Sequence, residues 1–133
     1  MHDLGPAPSL EDMERLAQKT LDDFPALFRE KMGRVIVRIA DAADDKVLND
    51  LGIDDPYELT GLYVGVPLTL DSATSPALHI PEVWLYRRPI LDEWAARGDV
   101  SLGELVAHVL IHEIGHHFGW SDEDMDAALA DAD

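Results

Sequence analysis

The chain has 133 residues, 47% of them hydrophobic, which at roughly 100–200 residues per domain gives one domain, 1–133, with enough apolar side chains for a core and excludes wholesale disorder. Ten Lys and Arg against 27 Asp and Glu leave a net charge of −17, opposite in sign to what phosphate binding needs, so no nucleic-acid partner is expected and the acidity reads as a well-solvated surface. There are no cysteines, which excludes disulfides, thiolate zinc sites and cysteine nucleophiles and leaves any metal to His and carboxylate ligands.

Met1 to Leu10 carry no apolar run of signal-peptide length, and no later stretch is long enough to cross a bilayer. The expected setting is the cytoplasm, with no membrane partner. Ser9 with Asp12 three residues on is a helix-start signature, and Met13, Leu16, Ala17, Thr20, Leu21 and Phe24 recur at helical spacing behind it. Pro25 then opens a second helical segment, through Leu27 and Phe28, that stops near Gly33.

Val35 to Ala40, rich in β-branched residues, reads as a buried strand. Asp41 to Thr60 holds seven acidic residues and turn signals at Gly52 and Asp55-Pro56 around a short helix near Val47 to Leu51, a surface excursion. Leu62 to Val66 and Val83 to Tyr86 are two more strand candidates. They are separated by a loop that Pro67, Ser72, Ser75 and Pro76 punctuate, and the second ends at Arg87, Arg88 and Pro89. Trp84 and Trp120 read as core residues, and Arg87 and Arg88 as partners of local acids.

The last major helix carries the chemistry. Ser101 and Glu104 form a capping box that starts it at Leu102, and Gly119 supplies the stop. Its apolar residues, from Leu102 through Phe118, cover nearly every side, which predicts a helix enclosed by its own protein. Within it, His112 and His116 are four residues apart and so project from one face, within reach of one ion. Glu113 is rotated by about 100° from His112 and borders that face without competing as a ligand.

His112-Glu113-Ile114-Gly115-His116 is the H-E-x-x-H pattern, in which zinc lowers the pKa of water and the glutamate accepts its proton. Gly119 can turn the chain back and bring Asp122 toward the metal. The result is the extended spacing H-E-x-x-H-x-x-G-x-x-H with an aspartate in place of the third histidine. Glu123, Asp124 and Asp126 compete for the same role, and Ser121 with Asp122 also suits the first turn of a further short helix. His117 points away from the proposed ion and reads as a core or supporting histidine, and His108, two turns from His116, as a packing residue or a partner of a ligand.

The stretch from Val109 to Met125 resembles the small, stand-alone bacterial zincin-like metallopeptidases, and the likeness extends more loosely to Gly61–Leu68 and Trp84–Ile90. The resemblance implies a compact zincin-like fold, a divalent metal and peptidase activity, carried at His112, Glu113, His116 and Asp122. The fold expected is α+β, with a small twisted mixed sheet packed on an N-terminal helix and the active-site helix. An exposed strand would border a cleft where an extended peptide or protein substrate adds as another strand.

Zinc is the expected cofactor, one ion held by His112, His116 and Asp122, with nickel, cobalt or manganese able to occupy the same donors. Two features depart from true metzincins: Met125 stands too close to the third ligand to form a methionine turn, and none of Tyr57, Tyr63 and Tyr86 can be assigned as a transition-state stabiliser. They motivate an alternative, a non-catalytic metal-binding regulatory or interaction module. A hydrolase of small amides or esters is a third reading.

Overall fold

The computed structural model describes residues 7–65 and 80–119. Helix α1, Leu10–Asp23, begins where Ser9 predicts it: the Ser9 hydroxyl accepts from the Asp12 N–H at 3.1 Å and the Asp12 carboxylate accepts the Ser9 N–H at 2.8 Å. Two otherwise unsatisfied donors are thereby paired reciprocally. Met13 and Ala17 face inward and are buried, while Leu16, Leu21 and Phe24 pack at the margin of the same core. Helix α2, Ala26–Met32, follows Pro25 and ends at Gly33, whose φ of 69° suits only a residue without a Cβ.

Strand β1, Ile36–Ala40, is followed by helix α3, Asp45–Leu51, whose first turn the Asp44 carboxylate caps by accepting from the Val47 N–H at 2.9 Å. After a single 3-10 turn at Pro56–Glu58 come β2, Gly61–Val64, and β3, Glu82–Tyr86. The sheet order is β1-β3-β2, with β1 parallel and β2 antiparallel to β3. Gly61 lies opposite Leu85 and Tyr63 opposite Val83, while Arg38 and Leu62 flank Trp84. The strand expected over Leu62–Val66 stops at Val64, with Gly65 in a bend, while Val66 and the punctuating residues Pro67, Ser72, Ser75 and Pro76 lie outside the described residues.

One expectation is corrected here. Strand β1 is not buried: it is a partly covered edge strand whose Arg38 faces solvent and pairs with Glu82 at 2.8 Å. A β-branched run signals a pleated, half-covered surface as well as a fully enclosed one. Strand β3 ends at Tyr86, where the sequence places its end, and Arg87–Arg97 forms a helix, α4, directly after it. Proline is tolerated in a first turn, where its missing N–H has no helical partner to lose. Gly98, left-handed at φ 69°, closes the helix, and Trp94 donates its indole N–H to the Val100 carbonyl at 3.0 Å.

Helix α5, Leu102–His117, starts at Ser101, whose hydroxyl accepts from the Glu104 N–H at 3.0 Å. The Glu104 carboxylate accepts the Ser101 hydroxyl at 3.1 Å, so the cap is made by the serine alone and the acid supports it. The main core joins Leu105, Val106, Val109, Leu110 and Ile114 of α5 to Val83 and Leu85 of β3, Met13 and Ala17 of α1, and Ile90 of α4. A smaller cluster on the other sheet face gathers Tyr86, Ala43 and Leu48.

The enclosure predicted for α5 is not complete. Glu104 and His108 are exposed, which opens one side of the helix along the four-residue line that continues to His112 and His116. His108 is therefore not a packing residue. Leu110→Ala, at a fully buried position, is expected to lower unfolding free energy by about 2–5 kcal/mol. His108→Ala should change it by less than about 0.5 kcal/mol, and urea denaturation of the two variants checks both.

Candidate metal centre

The centre is built on the last two turns of α5. His112, Glu113 and His116 each offer one ligand atom, and these three atoms lie within 4.8 Å of one another. The two imidazole centroids are 5.3 Å apart with the rings at 83°. Donors of one tetrahedral zinc with bonds of about 2.1 Å stand roughly 3.4 Å apart, a difference that small side-chain rotations close. The two imidazole nitrogens suit zinc as ligands, with the Glu113 carboxylate beside them, so the residues present fit the ion their pattern implies.

Glu113 is as much a part of this cluster as the two histidines. Its stem lies against the backbone of β2 at Gly61, and burial pushes its carboxyl up from 4.5 to about 7. Low-dielectric surroundings disfavour the charged form, and a cation gripped beside it would restore that form.

His117, next along the chain from His116, faces the other way. It is 2% exposed, and both ring nitrogens are occupied: Nε2 lies 2.7 Å from the Met32 carbonyl oxygen and Nδ1 lies 2.8 Å from the Tyr63 hydroxyl. A carbonyl only accepts, so Nε2 carries the hydrogen, and Nδ1 of the neutral ring accepts from Tyr63. Burial also raises the Tyr63 phenol, which favours its role as donor. This is the satisfied core histidine expected from the helical wheel. It ties α5 to β2 and to the end of α2.

Tyr86 is the site neighbour that sequence reasoning left unassigned. Burial and the nearby charges of Asp44 and Glu113 raise its phenol, which places it within electrostatic range of the glutamate. The signal in sequence was only that it ends β3, and the strand's position over α5 is not legible from that. Arg87 pairs with Asp41 at 3.3 Å and donates to the Pro8 carbonyl. Trp84 packs in the smaller cluster and donates its indole N–H to Glu82 at 3.1 Å.

Gly119, at φ 74°, makes the left-handed turn expected after the helix and bonds back to the His116 carbonyl at 3.0 Å. Asp122 and its competitors Glu123, Asp124 and Asp126 lie outside the described residues, as do Trp120, Ser121 and Met125.

A family model described as zincin-like metallopeptidase matches residues 32–130, about three quarters of the chain. The chain belongs to that family. No curated protein matches it. The zincin-like match begins at Met32, so α1, which supplies Met13 and Ala17 to the core beneath the metal helix, lies before the matched region. No described helix of this zincin-like chain is long and apolar enough to cross a membrane.

Two outcomes follow from this geometry. Tyr63→Phe leaves the buried Nδ1 without its donor and should cost about 1–3 kcal/mol in denaturant unfolding. In metal-free protein, the native state holds the Glu113 proton up to about 7 while the unfolded chain releases it near 4.5. The folded form thus binds more protons between these values, and its stability falls as pH rises through that window. The loss attributable to Glu113 is about 3 kcal/mol at most. Denaturation curves across pH, with chelator present, should show this slope disappear in Glu113→Gln.

Proposed function

We propose that this member of the zincin-like family is a zinc-dependent peptidase in which Glu113 moves the proton. The observation that carries the reading is the convergence of the His112, Glu113 and His116 donor atoms within 4.8 Å on α5, beside β2. His112 and His116 would hold the ion with Asp122 as third protein ligand, the place of Asp122 resting on its spacing after the Gly119 turn. When bound, zinc supplies Lewis acidity, polarising a carbonyl and bringing the pKa of water toward about 7.

The chain's own residues do the rest. Glu113, whose ionised form a cation at the two imidazoles would favour, takes a proton from water as a carboxylate and returns it to the leaving amine. Among the described residues β2 ends the sheet, with β3 on one side of it. An extended peptide or protein substrate would add there through main-chain hydrogen bonds. We place the reaction in the cytoplasm.

Glu113→Gln is expected to keep one zinc per chain and lose about 10²–10⁴-fold in peptide turnover, whereas His112→Ala and His116→Ala lose the zinc itself. Metal analysis and cleavage of a peptide library measure the two effects. If zinc-loaded wild type and Glu113→Gln left every peptide equally uncut, the chain would instead be the non-catalytic metal-binding module.

A further inference from the structure

Where Gly61 of β2 faces the stem of the proposed base, the strand carries no side chain. A Cβ placed on Gly61 would stand 2.9 Å from Val109 Cγ1, 3.1 Å from Glu113 Cγ and 3.2 Å from the Trp84 carbonyl oxygen. Gly61 is not among the glycines with positive φ, so its backbone conformation does not call for glycine. The space does. The strand has little freedom to back away, since Gly61 is in register with Leu85 of β3 and two residues on Tyr63 is bonded to His117.

We propose that Gly61 is a positioning residue of the metal centre, whose missing side chain lets the backbone of β2 seat the Glu113 stem and fix where its carboxylate stands beside His112 and His116. The role rests on reading Glu113 as the proton acceptor. Of the neighbours a methyl group would meet, the Trp84 carbonyl belongs to a paired strand and Val109 is β-branched, nearly fixed at its first torsion in a helix and buried in the core. Glu113 is unbranched and partly buried, so it is the group that turns. Gly61 thereby sets the spacing between β2, which ends the sheet among the described residues, and the base.

The test compares Gly61→Ala and Gly61→Ala/Val109→Ala with wild type. The double variant removes the tighter of the two side-chain overlaps, so it recovers thermal stability while the methyl group still crowds Glu113. Expected are zinc affinity within about threefold of wild type and a kcat on the best library peptide lower by about 10–100-fold, with KM changed less, in both variants. Crystal structures should show the Glu113 carboxylate displaced and the His112 and His116 rings in place. Recovery of kcat together with stability in the double variant would overturn the inference, as would an unmoved Glu113 in either crystal structure. The crystallographic comparison decides the matter even if wild type cleaves no peptide, an outcome that would count against the peptidase reading alone.

Discussion

Leu105, Val106, Val109, Leu110 and Ile114 seat α5 against β3, α1 and α4, and because side chains on a helix turn together, this seating fixes the direction in which every other residue of α5 leaves the axis. Burying those five leaves Glu104, His108, His112 and His116 along the more open line. It sends His117 inward, where the Met32 carbonyl and the Tyr63 hydroxyl meet it. Two histidines adjacent in sequence thus fall into opposite environments, His116 exposed and His117 buried.

Glu113 lies between these regimes. It is close enough to solvent and to the histidines to share their cluster, yet buried enough that its carboxyl is shifted to about 7. The cost of keeping a carboxylate there is borne by the surrounding apolar core. A cation at the two imidazoles would reverse the penalty by favouring the ionised form.

Among the described residues, the two outer strands of the sheet are treated differently. Along β1, Arg38 pairs with Glu82 and lies 5.8 Å from the Trp84 ring centroid, and a charged group on an outer strand discourages further pairing. Strand β2 begins with a glycine against the metal helix and ends at Val64, which is exposed. The smaller cluster behind it, with Tyr86 in electrostatic range of Glu113, supports the face of the sheet turned away from α5.

Capping residues, helical spacing and turn glycines are local signals, so Ser9, Ser101, Gly33 and Gly119 were legible along the chain, and so was the four-residue pairing of His112 with His116. Helix α4 had local signals too, in Pro89 and Gly98, but the polar dipeptide Arg87-Arg88 at its start reads as the end of a strand when no neighbour is known. Which side of α5 is open, which strand lies over Glu113, and that Gly61 is needed for space and not for torsion all depend on residues distant in sequence. Tertiary packing decided them, because burial and steric exclusion belong to pairs of surfaces, and a sequence names the two surfaces without stating that they meet.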